Sequence, residues 1–404
     1  MLKTAELLLS TLISLTIATP VIFAQAIAID TTQTLKKITI VSSNNTLLED
    51  GYKHLLIPKT IDDADYRKLK KYVLNKTDLR MFSDPEIIVK ALEWVSMQWE
   101  HDSFNEPPKN ATSYDILRNA AKGQRYRCVE YGKVLSDLLL SLGYVSRTVG
   151  LKNIDAAYGG LGMGHVASEV WSDSLQKWIF VDPQFGIYAK HGEEFINFYE
   201  MYQLKQAGKF NEIRFIPTDT YLKLHHTTQA KEAEDYRVFI EKQFGYIDTA
   251  YVLDDGDSVS ATLPLEGKQS YLTFQGLPGK DIVFTHKLSD LYFSINKTLI
   301  VFEYQHYDKT IFKKLYESNA IQNDQTYMNA MPLFAAKPNF KLKFENNMPW
   351  FDHYQAKIDD GAWTAIKGHT FDWNLHEGGN IIAVRSVNKA GLSGMTTAME
   401  IAYE

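Results

Sequence analysis

The chain has 404 residues and a single cysteine, Cys128, so no internal disulfide can form. After an apolar run from Leu7 to Ala24, no later stretch is long and apolar enough to span a bilayer. Positive charge is not in excess. The 43 Lys and Arg are outnumbered by 49 Asp and Glu, for a net charge of −6, and no basic stripe occurs. That excludes the electrostatic footprint of a nucleic-acid partner. Metal-ligand patterns are equally sparse. His225-His226 has no third ligand at helpful spacing and reads as surface. Asp254-Asp255-Gly256-Asp257 lacks the full calcium-loop pattern and reads as a turn. No metal and no cofactor is expected. There is no convincing internal repeat and no low-complexity tract.

Met1-Leu2-Lys3, the apolar run and the small residues at Ala24-Gln25-Ala26 together read as a secretory signal peptide over residues 1–26. They predict a secreted or periplasmic protein that does not span the membrane once the signal is removed. An unpaired thiol outside the cytosol is open to oxidation, so its presence there suggests use.

The length predicts two or three domains after the signal. Residues 27–82 form an N-terminal region of mixed character, with a helix expected from about Thr60 to Asn75. Asp84-Pro85 opens a clearer helix, Asp84 serving as N-cap, with Ile88, Ala91, Leu92, Val95 and Trp99 on one face. Trp99 and His101 read as core packing and helix-end chemistry. A second helix runs from Cys128 to Leu142, its buried stripe Tyr131, Leu135, Leu138, Leu139 and Leu142, with Gly143 as the stop. Tyr144 to Leu151 reads as a strand, and Lys152 to Gly164 as a Gly-rich loop. Strands through His165 and Asp182 form a hairpin around Ser172 to Lys177. Residues 83–230 make one domain on this reading. Residues 245–331 form a β-rich middle domain, with Ser270 to Phe274 among its strands. Residues 339–404 form a small antiparallel sandwich of immunoglobulin or fibronectin type.

Three residues carry the chemistry. Cys128 stands at the start of a helix, where unpaired N–H groups and the helix dipole favour a thiolate, and Arg125 and Arg127 add positive charge nearby. His165 heads one strand of the hairpin and Asp182 ends the other. If Trp171 pairs with Trp178, opposed residues sum to 349. His165 and Asp182 then share a face within reach of each other; a shift by one pair sets them directly opposite. The aspartate can orient the imidazole, and the imidazole is left to meet the thiol. The backbone N–H of Cys128 is a natural donor to a developing oxyanion, and Gln124 is the favoured side-chain donor over Tyr126 and Gln98.

In order, these blocks resemble the transglutaminase-like superfamily of papain-type cysteine enzymes. The carrying residues are Cys128 at its helix head, Leu142-Gly143-Tyr144-Val145-Ser146-Arg147, His165 with Glu169, and Trp178 with Asp182-Pro183. The resemblance covers about residues 85 to 200. Arg127 stands where many members have Gly, Ala167 where many have Trp, and Gln184 where Thr is common. The resemblance implies an α+β papain-like core, its nucleophile helix packed on an antiparallel sheet, followed by β-sandwich-like domains. It implies Cys128 as nucleophile, His165 as base then acid, and Asp182 as orienter. The expected function is cleavage or transfer at amide bonds of a peptide or protein substrate, such as a cell-wall or surface component, through a thioester. The alternative is a non-catalytic surface or adhesion protein that uses this domain as a scaffold.

Overall fold

A computed structural model describes residues 36–154, 164–267, 281–304, 309–334 and 338–404. The expected signal peptide, most of the Gly-rich loop and the strand expected at Ser270 to Phe274 lie outside these residues. The described part divides into two compact units, one of residues 37–304 with 338–404, the other including 309–334.

The larger unit begins with strand β1 (Ile38–Ser43), followed by helices α1 (Ala64–Leu74), α2 (Glu86–Ser96), α3 (Ser113–Ala120) and α4 (Cys128–Leu142). Asp63 caps α1 by accepting from the Asp65 N–H, and Thr112 with Asp115 forms a capping box at α3. Asp84 does not cap α2, whose N-cap is Pro85; its carboxylate accepts instead from the Ser174 N–H at 2.9 Å. On α4 the leucines fall on the buried stripe, and Gly143 ends the helix at φ 94°, where a side chain would strain the backbone. Helices α1, α2 and α3 pack on α4.

Next come β2 (Ser146–Lys152), β3 (Gly164–Ser172), β4 (Lys177–Asp182), β5 (Ile187–His191), β6 (Glu194–Phe195), α5 (Phe198–Gln206), β7 (Ile213–Pro217), α6 (Asp219–Leu224) and α7 (Gln229–Glu241). After them run β8 (Tyr246–Val252), β9 (Ser258–Pro264) and β10 (Ile282–Phe284). All nine strands from β2 to β10 form one sheet, in the order β10-β9-β8-β2-β3-β4-β5-β6, with β7 paired to β5. One face of the sheet buries Val170, Ile179 and Val181 against the α1–α4 layer. The other buries Val149, Leu151, Ala167 and Phe180 with Phe198, Tyr236 and Phe244. Full burial of each such side chain is worth roughly 1.5–3 kcal/mol.

The strands of 246–264 thus do not start a separate middle domain. Gly150↔Asp248 and Leu151↔Ile247 pairing stitches β8 to β2, so the turn of Asp254 to Asp257 is the β8–β9 hairpin of the same sheet. The last strand of that expected segment, β11 (Thr298–Phe302), pairs with the sandwich. Residues 309–331 of that segment belong instead to the smaller unit, with α8 (Thr310–Glu317) and α9 (Asp324–Phe334) around Leu315, Ile321, Ala330 and Phe334.

The sandwich comprises β12 (Asn339–Asn346), β13 (Phe351–Ile358), β14 (Thr364–Ile366), β15 (Thr370–Asn374), β16 (Gly378–Asn388) and β17 (Thr397–Tyr403), joined by β1 and β11. Its sheets run β1-β17-β16-β13-β14 and β11-β12-β15. They share a core of Ile300, Leu342, Phe344, Tyr354, Trp373, Ile382 and Val384. The fold is therefore mixed α+β with several antiparallel sheets. No helix among the described residues is long and apolar enough to cross a membrane.

Candidate active site

The hairpin register is Trp171↔Trp178 and Ser168↔Val181, the sum of 349. It sets His165 and Asp182 on one face at the rim of the sheet. His165 Nε2 lies 2.7 Å from Asp182 Oδ2, and both side chains are buried, Asp182 completely. The Asp182 carboxylate takes two further bonds. Tyr236 Oη donates to Oδ2 at 2.8 Å, and the Gln184 N–H donates to Oδ1 at 3.1 Å. Burial, then the charge of Asp182, raises the Tyr236 hydroxyl well above its ordinary range, so it remains a donor. Phe239 meets the imidazole edge-on, at 5.1 Å between ring centroids. With Nε2 committed to Asp182, Nδ1 is the ring atom left for the thiol.

Cys128 is the first residue of α4, so its N–H has no acceptor within the helix. Burial pushes its thiol pKa up, but other interactions overcome this and bring it down to about 6. They are hydrogen bonds with His101 and His165, the charge of His165, and the Val166 N–H. For His165, burial works against protonation. The charge and hydrogen bond of Asp182, helped by Cys128, outweigh it and hold the imidazole above its ordinary value. The two shifts share one cause, the closeness of Cys128 and His165, and both favour the charged forms.

His101 is at the sulfur rather than merely ending a helix. The segment after α2 pairs with the residues before Cys128 through a His101↔Tyr126 bridge and an Asp102 N–H to Tyr126 O bond of 3.0 Å. Trp99 is core, packed on Tyr131 and Tyr126. Gln124 is elsewhere. Its N–H closes the turn after α3 onto Asn119 O, and its exposed side chain lines a separate depression with Asn119 and Lys122. Arg127 adds little field at the thiol, because Glu106 and Glu130 pair with it. Tyr236 and Phe239 come from α7, beyond the expected domain end at residue 230. His225 and His226 are exposed. Among the described residues, no group of three or more His, Cys, Asp or Glu is placed to hold a metal.

Arg147 and Glu169, the other residues of the motif, are directly paired across β2 and β3. Arg147 Nη2 lies 2.6 Å from Glu169 Oε2. The second carboxylate oxygen takes the Phe198 N–H at 3.0 Å and the Tyr292 hydroxyl at 2.9 Å. The guanidinium also lies 4.1 Å over the Trp178 ring. This pair ties β2, β3, α5 and the residues before β11 together.

A cleft of about 620 Å³ opens at Cys128 and His165. It runs between one side of α4 and the strands β2, β8 and β9, with Leu55, Leu56 and Pro58 also lining it. Gly132 allows α4 this close to the sheet, since a Cβ there would stand 3.1 Å from Val166 and 3.2 Å from Thr148.

No family model matches the chain, and neither does any curated protein. Among solved structures, a transglutaminase of red sea bream is 11% identical over 83% of this chain and 72% of that one, at a TM-score of 0.23. Function is therefore read from the geometry of the site.

Proposed function

We propose that this chain is an exported, transglutaminase-like cysteine enzyme that transfers the acyl group of a peptide or protein amide through a thioester on Cys128. The observation that carries the reading is the thiol at the start of α4, held between His101 and His165, with His165 bonded in turn to buried Asp182. A lone structural cysteine has no need of two imidazoles.

In the forward step the Cys128 thiolate attacks the carbonyl carbon, and the carbonyl electrons move to oxygen. The Cys128 N–H and His101 are the candidate donors to that oxyanion. As the C–N bond breaks, the His165 imidazolium gives its Nδ1 proton to the departing nitrogen, which leaves as ammonia or an amine. Neutral His165 then takes a proton from the incoming water or amine, which attacks the thioester and regenerates the thiolate. Asp182 keeps the ring oriented throughout, and Tyr236 keeps Asp182 in place. Water as second nucleophile gives hydrolysis; an amine gives crosslinking.

The test is the rate of Cys128 alkylation by iodoacetamide against pH in wild type, His165→Ala and Asp182→Asn, followed by a screen of glutamine and peptide amides. The expected result is a thiolate titrating near pH 6 that both substitutions weaken. An ordinary thiol profile in all three proteins would overturn the enzymatic reading and favour a binding role for the β sheets.

A further inference from the structure

The charged side chains of the cleft wall are turned towards one another. Lys133 Nζ lies 2.9 Å from Asp137 Oδ2, Lys152 pairs with Asp248, and Arg147 Nη2 lies 2.6 Å from Glu169 Oε2. Each cation has a carboxylate beside it, so these pairs leave no net charge for a ligand. Hydroxyls of the wall are committed as well. Ser146 donates to Ser136 Oγ at 3.2 Å, Ser260 to Asp248 at 2.9 Å, and Thr249 to the Thr148 carbonyl at 3.1 Å. A charged side chain entering here sheds its water and meets counter-ions that are already matched.

Exposed apolar side chains stand at both ends of the same cleft. Val129, the residue after the nucleophile, is 39% exposed, and Leu56 is 37% exposed. Leu55 and Pro58 line the cleft beside Leu56, held there by a bridge between Leu55 and Tyr251 of β8. Strand pairing gives the span between the two ends. Leu151 is opposite His165 on one side and Ile247 on the other, and Tyr251 is four residues further along β8. At roughly 3.3 Å per residue, Leu55 lies about 13 Å along the sheet from the level of His165. An extended peptide covers that distance in about four residues.

We propose that Leu55, Leu56 and Pro58 form an apolar subsite about four residues from the reacting amide, and that the cleft takes an uncharged stretch of peptide with an apolar side chain at that distance. This rests on the thioester reading above and adds a substrate class to it. An apolar side chain laid on Leu56 and Pro58 removes apolar area from water on both partners. An acid or a base at the same position loses hydration and gains no unmatched partner. The subsite comes from the segment ahead of α1, so substrate choice and the reactive thiol are carried by different parts of the chain.

The experiment titrates Cys128→Ala by fluorescence anisotropy with dye-labelled peptide amides of the form X-Gly-Ala-Gly-Gln-Gly-Ala-Gly-X, where X is Leu, Ala, Glu or Lys. Placing X four residues to either side of the glutamine covers both chain directions. The leucine peptide should bind about tenfold tighter than the alanine peptide, as expected for covering part of a leucine side chain. The glutamate and lysine peptides should bind no tighter than the alanine peptide. Leu56→Ser, made in the same background, should bring the leucine peptide to within about twofold of the alanine peptide, and Leu56→Met should keep the preference. A thermal melt verifies that both variants fold. Equal binding of the leucine and alanine peptides, tighter binding of a charged peptide, no binding of any of the four, or a preference that survives Leu56→Ser would overturn the assignment. Because Cys128→Ala carries out no thioester chemistry, the result is independent of the alkylation test. A leucine preference lost in Leu56→Ser supports the subsite even where Cys128 proves an ordinary thiol, and its absence rejects the subsite even where the thiol titrates near pH 6.

Discussion

Four residues apart on β3, His165 and Glu169 are both buried and both bonded to a partner of opposite charge. Around Glu169 every position is filled. One oxygen takes two bonds from Arg147, and the other takes the Phe198 N–H and the Tyr292 hydroxyl. Around His165 one nitrogen is committed to Asp182, and the other side of the ring faces a thiol at the mouth of a cleft. A closed set of bonds holds strands in place and has no proton to give. An open set, with one titrating neighbour, has a proton with somewhere to go. On the proposed function, what separates the two pairs is what remains unsatisfied around each, not burial or charge.

Substitutions at the two ends should therefore fail in opposite ways. Glu169→Ala strands the Arg147 guanidinium, and the expected loss is about 3–5 kcal/mol of stability in a urea titration. The fraction that stays folded should alkylate at Cys128 with an unchanged pH profile. His165→Ala should do the reverse. The thiol returns towards its ordinary range, and alkylation at pH 6.5 falls about a hundredfold, while Asp182 keeps its bonds from Tyr236 and the Gln184 N–H, so the stability loss should be smaller than in Glu169→Ala. A large stability loss in His165→Ala with no change in thiol titration would break the comparison. His101→Ala should cost about tenfold in alkylation near pH 6, the loss of one hydrogen bond to the thiolate, with His101→Gln recovering part of it.

A pH-dependent effect lies at Asp173, in the turn between β3 and β4. Burial pushes its carboxyl up to about 7, against hydrogen bonds from Asn296 and Trp171. The folded state therefore holds that proton more tightly than the unfolded chain. Its destabilisation appears as pH rises from about 4 through about 7, at no more than roughly 1.4 kcal/mol per unit. The stability of wild type relative to Asp173→Asn should decline over that window and level off above it.

What could be read from the chain alone follows from how local each cause is. Period-two alternation and the Trp171↔Trp178 pairing put His165 and Asp182 on one face without any knowledge of the rest. The α4 bounds were equally legible, since the leucine stripe and Gly143 are neighbours in sequence. His101 was not. It reaches the sulfur only because the backbone at residue 126 pairs with its own, and nothing in its surroundings distinguishes it from a helix-end histidine. A His two residues beyond a core Trp, followed by Asp102, was the one visible signal. Tyr236 comes to Asp182 from 54 positions further on. The β2–β8 pairing bridges some hundred residues across the Gly-rich segment, so β8 and β9 looked like the start of something new. The sandwich closes with β1, whose partner β17 is at the far end of the sequence.

The helix that begins at the thiol ends at Gly143, whose carbonyl accepts from Asn388 Nδ2 at 3.0 Å. A Cβ on that glycine would stand 2.5 Å from the Ala390 side chain. A fifteen-residue α-helix is a stiff rod about 22 Å long. One tip of the rod carries the sulfur, and the other is seated in the turn after β16. The far end of the helix that starts at Cys128 is thus seated on the sandwich by one hydrogen bond and one close backbone approach. Any side chain at residue 143 would lift that end off its seat, so the glycine sets the spacing between helix and sandwich as well as the helix stop.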